Sequence, residues 1–220
     1  MEWSQQFDSY CERTDLTYWS EPVNAVTNAA FLLAALIMWR RLRGEKLPIA
    51  TLLVVILTAI GVGSYLFHTH ATVWAVTADV VPIGLFILLY LFAVGLHFLR
   101  WPFWAALVLT AAFVPFAAVA VPLIDRVPFF QISNFYWTVP ILLVGFAPLV
   151  ARQNGATARG MLIGAALLSV SISLRSVDEM ICEAVPLGSH FLWHCLNGLM
   201  LGWMIEVYRR HMVGKVAPAS

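Results

Sequence analysis

The polar groups of this sequence that could do chemistry sit in stretches otherwise free of charge. They are Ser64 and His68 in "GVGSYLFH", Asp79 in "DVVPI", and His190 and His194 in "HFLWH". Histidines at i and i+4 on a helix point their imidazoles the same way, a recurring zinc geometry. A third histidine from another helix would complete a set of three protein ligands and leave the fourth position to water, as in catalytic zinc sites. Zinc lowers the pKa of such a water to about 7. Asp79 could take its proton, and Ser64 could hydrogen-bond the bound water or a developing oxyanion. Plain structural roles stand beside these. His-x-x-x-His pairs arise by chance, and His68 could be an interfacial residue. Asp79 could pair with a neighbouring helix, and Ser64 could allow close helix packing. What favours chemistry is a common depth, which is set by the helices that carry the residues.

Of 220 residues, 61% are hydrophobic and 11% are charged, against about 25% charged in ordinary soluble domains. No Asp, Glu, Lys or Arg occurs in 22–39, 47–78, 80–99, 101–124, 127–151, 160–174 or 184–205. A spanning helix needs about 20 mostly apolar residues. The pattern predicts an all-α integral membrane bundle of seven transmembrane helices, near 23–40, 48–68, 73–97, 101–122, 133–151, 157–176 and 187–208. The polar "HTHAT" breaks the 47–78 run, and Arg159 and Arg175 at the ends of the shortest run can snorkel outward.

Residues 1–22 are polar and acidic, with no basic n-region or apolar h-region, and are expected to form an ordered external segment rather than a cleaved signal. The bundle itself is expected over 23–210, with 211–220 a flexible cytoplasmic tail. Lys and Arg in short loops set orientation. With the N-terminus outside and the C-terminus inside, all 13 of them except Arg13, Arg126 and Arg175 fall on the inner side. The outer side carries Asp8, Glu12, Asp15, Glu21, Asp178, Glu179 and Glu183. Short loops point to a bacterial inner membrane. A net charge of +1 and the absence of a basic block give no nucleic-acid signal, and no protein partner is evident.

On this topology His68 lies about 30 Å along the second helix, near the outer surface, with Ser64 one turn deeper on the same face. Asp79 lies about 10 Å below the outer start of the third helix, by the same rise per residue. His190 and His194 occupy the first two turns of the seventh. All five therefore share the outer third of the membrane, and ionisable groups there are expensive and usually functional. His70 is the substitute ligand if one is needed, whereas His97 and His211 read as interface or loop residues. Cys11 and Cys182 both fall in outer loops, where a disulfide is permitted; they are either bridged or two free thiols. Cys195, inside the seventh helix, reads as a small apolar residue. Arg175 and Asp178, one turn apart, read as a local salt bridge.

Four stretches resemble the alkaline ceramidase family, within the wider set of seven-helix membrane hydrolases that includes adiponectin-receptor-like proteins. "YCERTD" at 10–15 is similar to the family's N-terminal Cys-Glu segment, and "EPVNAVTN" at 21–28 to its Glu-x-x-Asn-x-x-Ser-Asn motif. Residues 61–68 with 79–83 resemble its Gly-x-Gly-Ser-x-x-Phe-His and Asp-x-x-Pro pair, and 190–194 its closing His-x-x-Trp-His. The resemblance implies that His68, His190 and His194 hold zinc, that Asp79 and Ser64 are the catalytic pair, and that Cys11 and Cys182 are disulfide-linked. It also implies a calcium site in the N-terminal segment. Glu12 and Glu21 match that site, Asp8 and Asp15 are substitutes, and Ser9 stands where the family has an aspartate. A solvated outer loop is the other reading of those acids. Asn24 and Asn28 either orient the N-terminal segment or a zinc ligand, or join two helices.

The expected activity is zinc-dependent hydrolysis of the amide bond of ceramide, an N-acylsphingosine-like membrane lipid, giving a sphingoid base and a free fatty acid. The competing readings are a zinc hydrolase of another ester or N-acyl lipid, a non-catalytic zinc-containing receptor or sensor, and a bis-histidine haem carrier. The haem reading would leave Asp79 and Ser64 unexplained.

Overall fold

A computed structural model describes residues 2–6 and 9–214. Of the described residues 76% are helical, and the extended structure among them is one isolated antiparallel bridge between Gln6 and Thr72. Nine helices are described: α1 (Pro22–Thr27), α2 (Ala29–Arg41), α3 (Pro48–His70), α4 (Val73–Ala93), α5 (Phe103–Ile124), α6 (Pro128–Gln131), α7 (Asn134–Ala151), α8 (Gly155–Val177) and α9 (His190–Gly214). Among the described residues, six helical segments are long and apolar enough to cross a membrane: α1–α2 together, α3, α4 with the π-turn Val94–Phe98 that follows it, α5, α7 and α8. α9 has the length, 25 residues, but His190, His194, Asn197 and Glu206 lower its hydropathy.

α1 and α2 form one expected span interrupted at Asn28. Thr27 Oγ1 bonds back to the Val23 carbonyl and Asn28 Nδ2 to the Asn24 carbonyl, and such back-bonding loosens a helix locally. α3 extends through both histidines and stops where Ala71 takes a left-handed conformation at φ 48°. α9 starts three residues later than expected and continues to Gly214, so 211–214 are helical rather than tail; residues 215–220 lie outside the described residues.

α3 packs against α4, α8 lies against both α7 and α9, and α2 contacts α3 and α9. α5 is peripheral and buries only Ala106 and Phe113. The close approach of α3 to α4 depends on Gly63. A Cβ there would overlap the Ala78 carbonyl and come within 3.0 Å of the Asp79 nitrogen. The missing side chain sets the backbone of Ser64 beside that of Asp79.

Candidate metal centre

His68 at the end of α3 and His190 and His194 in the first two turns of α9 converge, each at most 2% exposed. One ligand nitrogen from each lies within 4.8 Å of the others. Ring centroids are 5.0 Å apart for His68–His190, 4.6 Å for His68–His194 and 4.6 Å for His190–His194.

Neighbours occupy one ring nitrogen of His68 and one of His194. His68 Nδ1 donates to Glu21 Oε2 at 2.6 Å, leaving Nε2 for a metal. His194 Nδ1 lies 2.9 Å from Thr27 Oγ1, and its Nε2 is buried without a hydrogen-bond partner. His190 Nδ1 is likewise buried and unpartnered, while Tyr10 stacks on its ring with centroids 3.6 Å apart. Buried polar atoms are nearly always satisfied. Two unpartnered imidazole nitrogens within a group of three histidines therefore fit a cation, and the donor set fits a divalent transition metal.

Asp79 and His190 line one cavity of about 230 Å³, together with Tyr10, Tyr136, Arg175 and Trp193. Asp79 lies next to Ser64 and in the field of His68 and Arg175. An apolar cavity of about 70 Å³ shares Tyr136 and Trp193 with it and continues between α4, α7 and α9. His70 packs instead between the rings of Tyr18 and Trp74. His97 contacts Tyr208, and His211 contacts Thr157.

The N-terminal segment covers the site. A Cys11–Cys182 disulfide ties it to the loop before α9. Asp178 does not pair with Arg175, a correction to the expected salt bridge. Its Oδ1 accepts from Ser189 N at 2.6 Å and His190 N at 2.8 Å, and its Oδ2 accepts from Cys11 N at 3.0 Å. The free N–H groups at the start of α9 need an acceptor, and Asp178 provides it. Arg175 turns to the cavity, donating to Ser133 Oγ at 2.8 Å and to the Tyr10 hydroxyl at 3.2 Å, with its guanidinium 5.2 Å from the Tyr136 ring centroid. Burial pushes the Tyr10 hydroxyl's pKa up, keeping it a neutral donor and acceptor. No local sequence signal marks Tyr10, Tyr136 or Arg175 as cavity residues.

The acids expected to bind calcium have the following partners. Glu12 accepts from Val23 N at 2.7 Å and Asn24 N at 2.8 Å, at the start of α1. Asp15 Oδ1 accepts from the backbone and hydroxyl of Thr17. Glu21 accepts from Arg13 Nε at 2.5 Å, His68 Nδ1 and Asn24 Nδ2. Burial pushes the Glu21 carboxyl up, but His68 and Arg13 outweigh it and hold it below its ordinary value. Among the described residues Glu12, Asp15 and Glu21 do not group with one another as the three histidines do, and Asp8 lies outside the described residues.

No curated protein matches the chain. A protein-family model described as Ceramidase matches residues 8–215, nearly its whole length.

Proposed function

Because the chain belongs to the ceramidase family, we propose that it is a zinc-dependent membrane amidase that hydrolyses ceramide-like N-acyl sphingoid lipids to a sphingoid base and a fatty acid. The observation that carries this reading is the gathering of three buried imidazoles, two with unpartnered nitrogens, one of which, His190, lines a cavity together with Asp79. His68, His190 and His194 would hold the zinc, which when bound acts as a Lewis acid and lowers the pKa of water to about 7. Asp79 takes the proton lost by the attacking water and returns it to the nitrogen as the amide C–N bond breaks. Ser64 donates a hydrogen bond to the oxygen on which charge develops. Tyr10 covers His190 and limits access of bulk water. The lipid enters sideways from the bilayer, and its acyl chain extends into the apolar cavity between α4, α7 and α9.

In this reading α9 is the seventh span and the N-terminus is outside. The Cys11–Cys182 bridge supports that orientation, because disulfides persist on the oxidising side of a membrane. The site then faces the outer leaflet, in a bacterial inner membrane.

The test is metal analysis of the purified protein, paired with mass-spectrometric assay of ceramide hydrolysis before and after chelation and zinc add-back. About one zinc per chain, with activity that follows it, is the expected result. Turnover confined to an ester or another N-acyl lipid would reassign the substrate. Lipid binding without turnover would make the protein a sensor, and protein without zinc would overturn the metal assignment.

A further inference from the structure

Arg13 lies in the middle of the segment where the calcium ligands were expected, and its side chain is 1% exposed. Its three nitrogens go to three different oxygens. Nε donates to Glu21 Oε1 at 2.5 Å, Nη1 to the Asp15 carbonyl at 3.1 Å and Nη2 to the His68 carbonyl at 3.0 Å. A carboxylate and two backbone carbonyls are the oxygen donors calcium prefers. Here a guanidinium takes all three.

We propose that Arg13 is the built-in cation of this chain, standing in for a bound calcium ion and holding Glu21 against His68, so that the metal centre is assembled without calcium. The carboxylate needs such a partner. Glu21 is 2% exposed, and a buried charge is tolerated only when paired and hydrogen-bonded. A guanidinium supplies the charge and, through its planar fork, reaches the carboxylate and both carbonyls at once; a lysine ammonium, a point charge on a flexible stem, cannot reproduce that fork. Arg13 is therefore a positioning residue. It acts on His68 from two sides, through the Glu21 carboxylate at Nδ1 and through the His68 carbonyl.

This inference rests on the three histidines holding the metal, but not on which lipid is cleaved, so its test reads metal directly. Wild-type protein is dialysed against zinc-containing, calcium-free buffer and titrated with calcium into the millimolar range. No bound calcium, an unchanged melting temperature and unchanged activity are expected. Calcium bound at one per chain, or a melting temperature that rises as calcium is added, would overturn the proposal. In parallel, Arg13→Gln is expected to weaken zinc affinity by about 10–100-fold, the usual effect of losing support behind a ligand histidine. Arg13→Lys should recover part of the loss, and added guanidinium ion should restore zinc retention in Arg13→Ala. Wild-type zinc affinity in Arg13→Gln would also overturn the proposal. If that variant fails to fold, the calcium titration of the wild-type protein and the zinc affinity of Arg13→Lys decide. A lipid screen that rejects ceramide would change none of these readouts.

Discussion

Glu21 Oε2 lies 2.6 Å from Nδ1 of His68, so a carboxylate just outside the first span sets the ring of a histidine at the end of α3. A ligand histidine that donates its other N–H to a carboxylate has its tautomer fixed and its basicity raised. Glu21→Gln keeps the shape and removes the charge. Zinc affinity measured against a chelating dye should fall by about 10–100-fold, with the disulfide and helix content intact. An unchanged affinity would remove Glu21 from the centre.

Thr27 does for His194 what Glu21 does for His68. Its hydroxyl proton is directed to the carbonyls of Val23 or Asn24, at 2.8 and 3.1 Å. A lone pair is then left to accept from His194 Nδ1, which keeps Nε2 unprotonated. Thr27→Val should therefore weaken zinc binding by about tenfold, the low end for such support. Thr27→Ser should bind as the wild type does. Equal binding by both variants would show that the contact is incidental.

Gly63 sets how near α3 comes to α4. A methyl group there would strike the Ala78 carbonyl, a backbone atom that cannot swing aside, next to Ser64 on one helix and Asp79 on the other. Gly63→Ala is expected to destabilise the protein by about 1–3 kcal/mol, the range for overpacking, and to lower activity more than a stability loss alone explains. Gly84→Ala, in the same helix pair with open space around it, is the control and should change neither. Matching behaviour of the two variants would show that the spacing at Gly63 has no bearing on Ser64 and Asp79.

The grouping of the three histidines was legible because histidines are conspicuous in apolar helices, and because helical rise places them at a common depth. The close approach of Ser64 to Asp79 was less so: a glycine in a membrane helix announces small-residue packing but not its partner. The roles of Arg13, Tyr10 and Arg175 were not legible, since each depends on contacts across the fold. Arg175 has Asp178 one turn away in sequence, yet the start of α9 takes that carboxylate. The partners of the acidic N-terminal run were not legible either: composition counts carboxylates but not the backbone N–H groups and the guanidinium that bond to them.

Two substitutions separate the proposed metal-holding role from the proposed proton transfer. His194 is fully buried with Nε2 unpartnered, so His194→Ala should lose zinc and activity together. Asp79 is not among the grouped metal ligands, and it opens on the cavity beside His190. Asp79→Asn should therefore keep zinc near wild-type stoichiometry while kcat falls by about 10²–10⁴-fold, the usual contribution of a general base. KM should move little on the proposed reading, in which the acyl chain lies in the apolar cavity rather than against Asp79. Both variants should still insert and purify, since neither removes an apolar side chain of the core. Asp79→Asn that loses zinc would make Asp79 a ligand, and full activity in either variant would remove the proton-transfer scheme.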